Sequence, residues 1–276
     1  MISIITAIYN LKDMNRLFYE CLKKNTYHPF ELIIIDNGST DGSLEYFQSK
    51  TDVKVIKNDG NYSYPYCQNA GIKNAKFDTY VFMNNDIIVS EHWDKHALSI
   101  MQENNLDVAS CVATDRVENE DATYLSRKRW KHIRIPLLTI FGPRYWNLKL
   151  MTKLMYGDWK LFNEKRFAQF GSSVCLGISG STVIVTKKGI DLIGLWDERL
   201  QAADFDIFMR TKKRSIENGD IKPAQLILGV YVHHFCRLTT KQKYPPFKDN
   251  SKLINIEDKW DVDEAKKLIV NSGLKL

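Results

Sequence analysis

Asp86 follows two asparagines at the end of an apolar run, in the stretch "VFMNNDIIVS". Hard divalent ions such as Mg²⁺ or Mn²⁺ take oxygen ligands and keep several water or phosphate ligands, so one carboxylate beside a diphosphate can hold such an ion. Asn84 and Asn85 offer only neutral carbonyl oxygens, and Asn and Asp also favour strand-ending turns. The stretch alone leaves two interpretations open, a metal-binding corner and an Asn-rich turn.

Asp36 also stands where an apolar run, "LIII", meets a turn-like stretch, "NGSTDGS". A carboxylate there can accept hydrogen bonds from a base or a ribose. Backbone amides around Gly38, and the start of a helix near Asp41, can face an anion. The alternative for Asp36 is an Asx turn or a helix cap.

Two further groups carry titratable side chains. Asp204 and Asp206 open a helix in "QAADFDIFMR", two residues apart, so they point in different directions. One can serve as a general base in a pocket while the other anchors the helix, or both are only favourable partners of the helix dipole. His233 and His234 end an apolar strand and should face opposite sides of it, one as a metal ligand and one packed, or both packed.

The elements that must position these residues alternate along the first hundred residues. "ISIITAIYN", "ELIIID", "VKVIKN" and "TYVFMNND" are strand-like, and the runs between them have helical spacing. This order predicts an α/β fold with a parallel or mostly parallel sheet flanked by helices. Ligands collect at the carboxyl ends of such strands. Asn10, Asp36 and Asp86 are therefore expected on one edge.

The second half is less regular. After a helix from His92 to Asn104 and the strand "DVASCVAT", the pattern loosens into a basic, aromatic segment with poor periodicity. A strand and helix start in "GISGSTVIVTKKGIDLIG", a helix closed by Gly219, the strand ending in the histidine pair and a small terminal helix near Asp263 to Asn271 follow. We predict a first half (1–113), a second half (114–240) with a basic insertion (121–170), and a tail (241–276); the family resemblance given below implies that the first half binds the nucleotide sugar and the second the acceptor.

Composition bounds the class of protein. The 276 residues are 44% hydrophobic, enough for a packed core. The five cysteines are scattered without a CxxC pair, which argues against a disulfide framework or a zinc knuckle. No 18-residue apolar run and no signal peptide are evident, so a cytoplasmic protein is expected, in peripheral contact with the inner face of a membrane if the basic segment binds lipid.

The basic segment concentrates the charge. From Arg127 to Arg166 the net charge is +9, which leaves −3 for the rest of a chain whose total is +6. Three interpretations compete: a mobile lid with a solvated basic face, a patch that docks on anionic lipid, and a nucleic-acid groove with stacking aromatics. Its aromatics could also be ordinary core. The candidate acceptor or membrane patch is the run Arg127, Lys128, Arg129, Trp130 and Lys131.

Taken in order, these segments resemble the family 2 glycosyltransferases, which have the GT-A fold. The matching stretches are "ISIITAIYN", "ELIIIDNGSTDGS", "NDGNYSYPYCQNAGIKNAKFDTYVFMNND", "WDERLQAADFDIFMR" and "VYVHHF", covering most of residues 1–113 and about 178–236. Each stretch is only moderately specific, whereas their ordered occurrence together is highly specific.

The resemblance implies an inverting transfer from a UDP- or dTDP-type nucleotide sugar to a hydroxyl of a glycan or lipid-linked glycan. It implies a divalent metal, Mn²⁺ or Mg²⁺, held by Asp86 and His234, with His233 as the second choice. Asp204 becomes the candidate base and Asp206 a support residue. The implied donor-binding residues are Ala7, Tyr9, Asn10, Asp36, Asn69, Asn84 and Asn85.

Three residues depart from the family pattern. Ala7 replaces a frequent proline, Asn84 replaces the first acid of the DXD motif, and Ala203 replaces a glutamate beside the base. Asn84 lowers the charge of the metal site, which predicts weaker metal binding. Two alternative functions therefore stay open: transfer to nucleic acid through the basic insertion, and a catalytically silent binding protein with this fold.

Overall fold

The computed structural model describes residues 1–238 and 244–274. The elements of the first half alternate as predicted, with one additional short strand after Asp86. They are β1 Ile2–Ile8, α1 Lys12–Asn25, β2 Phe30–Asp36, α2 Ser43–Gln48, β3 Val53–Lys57, α3 Tyr64–Asn74, β4 Thr79–Met83, β5 Ile87–Val89, α4 Trp93–Glu103 and β6 Val108–Ala113.

The second half contains the remaining elements. They are α5 Glu120–Phe141, α6 Tyr145–Tyr156, α7 Trp159–Phe170, β7 Val174–Leu176, β8 Thr182–Thr186, α8 Lys187–Ile193, α9 Ala203–Glu217, β9 Gln225–His234, a 3₁₀ turn Asn250–Lys252, α10 Ile256–Lys259 and α11 Val262–Ile269. The predicted boundary between residues 240 and 241 falls outside the described residues.

One nine-stranded sheet organises the chain, in the order β3-β2-β1-β4-β8-β6-β9-β5, with β7 also paired to β9. The β3-β2-β1-β4 part is parallel, and β6 pairs parallel with β9. Strand β8 runs antiparallel to both β4 and β6, while β5 and β7 run antiparallel to β9. The predicted α/β class is confirmed, and the sheet is more mixed than the sequence pattern indicated.

The core occupies both faces of this sheet. On one face, alternate β1 side chains such as Ile4 and Ile8 pack with Phe18 of α1. On the other, Ile5 and Ile33 pack with residues of α3, α9 and α11. The period-two alternation of a strand sends neighbouring side chains to opposite layers, so a continuous apolar run fills both.

The basic segment is helical, contrary to the expectation of loose structure. It forms α5, α6 and α7, which end at Gly142, Gly157 and Gly171, each with positive φ as helix-ending glycines often have. Helix α5 buries only Trp130 and α7 buries no residue completely. A thin buried stripe gives weak periodicity, which explains why the pattern did not indicate helices. None of the described helices is long and apolar enough to cross a bilayer.

Candidate active site

Asp86 and His234 are neighbours because the backbone pairs their strands. Strand β5 begins directly after Asp86, and Ile87 lies opposite His234 on β9. The amide of Phe235 donates to the carbonyl of Asp86 at 2.9 Å. A register shift of β9 against β6, next to Gly229, lets the end of β9 reach this corner. An added Cβ on Gly229 would meet the carbonyl of Gly171 at 2.2 Å, so the close approach needs glycine.

His234 stands between two carboxylates. Its Nε2 is 3.2 Å from Asp86 Oδ1, and its Nδ1 is 3.2 Å from Asp115 Oδ1. Burial by itself lowers the pKa of His234, but the two carboxylates together raise that pKa well above its usual value. Burial opposes ionisation of Asp115, yet His234 lowers the pKa of Asp115 to about 2. The three groups form one charged line at the carboxyl edge of the sheet.

The donor atoms of these groups fit a divalent ion once His234 Nε2 has lost its proton, because an imidazole binds a metal in its neutral form. A metal-bound imidazole commonly donates its second ring N–H to a carboxylate that fixes its orientation. The fitting ligands are therefore Asp86 and His234 Nε2, with Asp115 accepting from Nδ1. Asp115, His234 and Cys236 form another close cluster. Burial raises the pKa of Cys236, and its thiol donates to the carbonyl of His234, so this group fits a hard cation less well.

His233 points to the opposite side and is fully buried. Its Nδ1 lies 2.8 Å from both Thr114 Oγ1 and Tyr156 Oη, and its ring packs edge-on against Trp130 at 4.8 Å. Burial lowers the pKa of His233 to about 3, so this imidazole is neutral. The second-choice ligand His233 is thus a core residue, because adjacent strand residues face opposite sides.

Asp204 begins the first turn of α9 and lines a pocket of about 780 Å³. Burial raises its pKa, which suits a carboxylate that must accept a proton. An added Cβ on Gly180 would lie 2.7 Å from Asp204 Oδ2, so a residue larger than glycine at position 180 would clash with this carboxylate. Asp115 lines the same pocket. The pocket therefore connects the candidate base to the Asp86–His234 corner.

Asp206 has a different environment from Asp204. It is buried, pairs with Arg210 at 2.8 Å and Lys259 at 2.7 Å, and accepts from Trp260 Nε1 at 2.9 Å. These partners anchor α9 to the C-terminal helices. The expectation that the two carboxylates point in different directions matches this arrangement.

The strand-end residues of the donor side are held by their own loops. Asp36 is buried and accepts from the amides of Gly38 at 3.1 Å and Ser39 at 3.2 Å, which is the Asx-turn alternative. Asn10 has positive φ and accepts from the amide of Thr40 at 2.8 Å. The amides near Gly38 thus bind a protein carboxylate. The donor-binding roles of Asp36 and Asn10 stay predictions.

Asn84 and Asn85 leave the fourth strand in different directions. The amide of Asn84 donates to the carbonyl of Ser181, beside the pocket of Asp204. Asn85 Nδ2 donates to Asn15 Oδ1 at 2.7 Å, which links the turn to helix α1. Asn85 therefore serves the turn, in agreement with the turn interpretation of this stretch. The donor-binding role of Asn84 stays a prediction.

Ala7, Tyr9 and Asn69 have distinct surroundings. Ala7 lies in β1 opposite Ile35, and the ring of Tyr9 packs 5.2 Å from that of Tyr244 in the returning tail. Asn69 is buried and exchanges two hydrogen bonds with the backbone of Trp196. Its amide thus clamps α3 to the loop before α9. The donor-binding prediction for these residues is untested.

The five residues of the predicted basic patch lie in four different surroundings. Arg127 lines the pocket of Asp204, whereas Lys128 and Arg129 line a separate groove between α5 and α6. Trp130 is 3% exposed and its Nε1 donates to the carbonyl of Cys236, so it is a core residue, which was the alternative left open for the aromatics of this segment. Lys131 is exposed. Successive helix residues are about 100° apart, which separates them.

Sequence reasoning missed Asp115 and Arg116. Both follow β6 after one intervening residue, Thr114, at the same carboxyl edge as Asp36 and Asp86. The strand "DVASCVAT" was recognised, and the strand-end rule applied to the first four strands would have identified "DR" after it. Both residues line the pocket that contains Asp204.

The comparisons with known proteins identify the family and the fold. The family model described as "Glycosyl transferase family 2" matches residues 3–163, more than half of the chain. The chain belongs to this family, and the family and its structural neighbours support a transferase with a GT-A fold.

Curated relatives match parts of the chain. An uncharacterized glycosyltransferase of Haemophilus influenzae is 32% identical over 111 residues, which are 38% of this chain and 44% of that protein. The chondroitin synthase of Pasteurella multocida is 27% identical over 110 residues, 38% of this chain and 11% of that protein. The chain thus spans less than half the length of these relatives.

Solved structures share the fold over nearly the whole chain. The mannosyltransferase PcManGT from Pyrobaculum calidifontis, in complex with GDP-Man and Mn²⁺, has a TM-score of 0.54 at 13% identity, covering 98% of this chain and 74% of that one. S. aureus TarS 1-349 in complex with UDP has a TM-score of 0.52 at 16% identity, covering 99% and 67%.

Proposed function

We propose that this chain transfers a sugar from a nucleotide-diphosphate sugar to a hydroxyl of a glycan or lipid-linked glycan, with inversion at the anomeric carbon. The observation that carries the proposal is the pocket shared by Asp204 and Asp115, because Asp115 also contacts His234 and so joins a candidate base to a candidate metal corner. A general base and a site for the leaving diphosphate must lie on either side of the sugar in such a reaction.

Asp204 is the proposed general base. It takes the proton of the acceptor hydroxyl as that oxygen forms its bond to the anomeric carbon, and the bond to the nucleoside diphosphate breaks on the opposite side. Burial raises the pKa of Asp204 toward neutral pH, so its carboxylate accepts a proton more readily. A covalent sugar intermediate is not needed, so inversion is expected.

Asp86 and His234 are the proposed ligands of Mn²⁺ or Mg²⁺, and Asp115 holds the imidazole of His234 in orientation. When bound, such an ion neutralises charge on the departing diphosphate. Asn84 contributes no charge, so the ion is expected to bind weakly until a donor diphosphate adds its own oxygens.

The donor is proposed to be a UDP or dTDP sugar, bound beside Asp36 and Asn10 at the ends of β2 and β1. This assignment draws on the family resemblance and on the UDP that S. aureus TarS binds, whereas PcManGT binds GDP-Man. The division into a donor half (1–113) and an acceptor half (114–240) with the insertion 121–170 is part of the same proposal.

A glycan acceptor is supported by the names of relatives, which include a chondroitin synthase and the O-antigen biosynthesis protein RfbC of Myxococcus xanthus. The groove between α5 and α6 supports a lipid-linked acceptor at an anionic membrane. It measures about 880 Å³, and its lining combines apolar residues with Lys128, Arg129 and His132, without an acid among the described residues. Leu125 and Leu154 at this groove are 63% and 50% exposed.

The test is a screen of nucleotide sugars for turnover, each with Mn²⁺, Mg²⁺ or a chelator. We expect turnover with a UDP or dTDP sugar that the chelator abolishes, and a product anomer inverted relative to the donor. Asp204→Asn should remove transfer while donor binding remains, and Asp191→Asn, an exposed aspartate paired with Lys187, is the matched control. Full turnover by Asp204→Asn would exclude Asp204 as the base, and donor binding without any turnover would favour the silent binding protein.

A further inference from the structure

Arg116 lies in the acceptor pocket without a carboxylate partner. It follows Asp115 at the end of β6, and its guanidinium donates to the backbone carbonyls of Ser272 and Gly273. Both acceptors are neutral, and no ion pair of Arg116 with a carboxylate forms within residues 1–238 and 244–274. A guanidinium carries five N–H donors and stays charged, so part of its binding capacity is unused.

The backbone is shaped to hold Arg116 at this place. Gly177 has φ +140°, and an added Cβ there would lie 2.6 Å from Arg116 Nη2 and 2.7 Å from the carbonyl oxygen of Ser272. A larger residue at 177 would therefore displace the arginine. Burial lowers the pKa of Arg116, which shows that its charge is partly withdrawn from water. A buried cation is costly unless an anion pairs with it.

Arg127 brings a second guanidinium to the same pocket. Its Nε donates to the backbone carbonyl of Asp115 at 2.9 Å, again a neutral acceptor. The nearby acids have other cationic partners, because Asp115 contacts His234 and Glu118 pairs with Arg166 at 2.8 Å. Asp204 and Asp115 attract Arg116, and Arg127 attracts Asp115, but among the described residues neither arginine forms a direct ion pair with these carboxylates. Each guanidinium therefore keeps N–H donors for a ligand.

We propose that the acceptor carries an anionic oxygen group, a carboxylate or a phosphate, which Arg116 and Arg127 bind while its reacting hydroxyl faces Asp204. The inference rests on the proposed function and specifies the acceptor of that same site. Planar guanidinium groups match carboxylate and phosphate oxygens in paired hydrogen bonds. Glu120 also lines the pocket but lies in the first turn of α5, where the helix dipole favours its charge.

Binding of three short oligomers tests the proposal. It is measured by calorimetry in the presence of the nucleotide and metal that the donor screen selects. Hyaluronan tetrasaccharide carries carboxylates, a glycerol phosphate tetramer carries phosphates, and cellotetraose is neutral. We expect one anionic probe to bind at least roughly tenfold more tightly than cellotetraose, as charge-assisted hydrogen bonds provide. Which anionic probe binds identifies the source of the charge.

Substitution of each arginine then links the preference to the pocket. Arg116→Gln and Arg127→Gln should each remove roughly tenfold of the anionic probe's affinity, and Arg116→Lys should restore part of it. Arg134→Gln is the control, because Arg134 is on the same helix α5 as Arg127 and also donates to a backbone carbonyl, that of Arg237, outside the pocket.

The outcomes separate this inference from the proposed function. Equal binding of anionic and neutral probes, no binding of either anionic probe, or unchanged affinity in both Gln variants would overturn the inference alone if donor turnover persists. Hydrolysis of the nucleotide sugar without acceptor provides that separate readout. Absence of any turnover of nucleotide sugars by the unsubstituted protein would overturn the proposed function itself.

Discussion

The imidazole of His234 lies 3.2 Å from the carboxylate of Asp86, and the contact is built into the sheet by the pairing of β5 with β9. The two residues are 148 positions apart in sequence, yet they meet wherever these strands pair. The remaining ring nitrogen of His234 is directed to Asp115. The contact between His234 and Asp115 leads to the first prediction.

Asp115→Asn should weaken Mn²⁺ binding roughly 10- to 100-fold, because an orienting carboxylate strengthens a histidine ligand. The measurement is titration of Mn²⁺ by electron paramagnetic resonance, in the presence of the nucleoside diphosphate. Asp107→Asn is the control, since Asp107 pairs with Lys188 away from the corner. Unchanged Mn²⁺ affinity in Asp115→Asn would remove Asp115 from the metal site.

The pH dependence of transfer should report Asp204. Its pKa is raised by burial, and a general base acts only when deprotonated, so activity is lost as pH falls through the raised pKa. The acid limb of kcat/KM should therefore lie above the value of about 4 that an ordinary aspartate has. An acid limb at or below that value would contradict the assignment.

Gly180→Ala should slow transfer without weakening donor binding. The new Cβ would lie 2.7 Å from Asp204 Oδ2, which forces the carboxylate to move. A displaced catalytic group lowers kcat by up to on the order of 100-fold. In Gly60→Ala, the control, the new Cβ meets only the flexible end of Lys248. Equal kcat values in the two variants would show that Asp204 tolerates the displacement.

Trp130→Ala should lower the free energy of unfolding by about 3–5 kcal/mol, as expected for removal of a buried Trp. Its neighbour Lys131 is exposed, and Lys131→Ala should change the same quantity by less than about 0.5 kcal/mol. Urea denaturation of both variants measures the difference. Similar stability of the two would place Trp130 at the surface after all.

Anionic liposomes should bind the protein through the groove of α5 and α6. Lys128→Gln combined with Arg129→Gln, two cations that line this groove, should weaken co-sedimentation with phosphatidylglycerol vesicles by about 2 kcal/mol, near 1 kcal/mol per cation. The control is Lys266→Gln with Lys267→Gln, two exposed lysines on α11. Equal binding to phosphatidylcholine vesicles, or no decrease in the first variant, would exclude an electrostatic membrane contact.

The donor half of the fold could be predicted because its strands and helices alternate with strong apolar patterns. Helix α1 was predicted from the helical spacing of Met14, Leu17, Phe18, Cys21 and Leu22. All of these are buried against the sheet except Cys21, which is half-buried. Strand β5 was missed because its three residues, Ile87–Val89, are too few to show a period of their own after the turn at Asn85 and Asp86. A short apolar run does not identify a strand by periodicity alone.

The acceptor side was less predictable for a different physical reason. Its cations and aromatics are interleaved, so charge counting treated Arg127 through Lys131 as one patch, whereas a helix distributes neighbouring residues around its axis. Asp115 and Arg116 were recognisable as strand-end residues. Their significance depended on the contact with His234 and on the returning residues 272–273, which are distant in sequence.

Helix α5 contributes to three different features of the protein. Its residues line the Asp204 pocket, line the groove between α5 and α6, and bury Trp130 in the core. A mutational scan along this helix should therefore show phenotypes that recur every three to four positions, alternating among acceptor choice, surface attachment and folding. Acceptor preference can thus diverge by substitutions on one helix face while the corner formed by Asp86 and His234 remains unaltered.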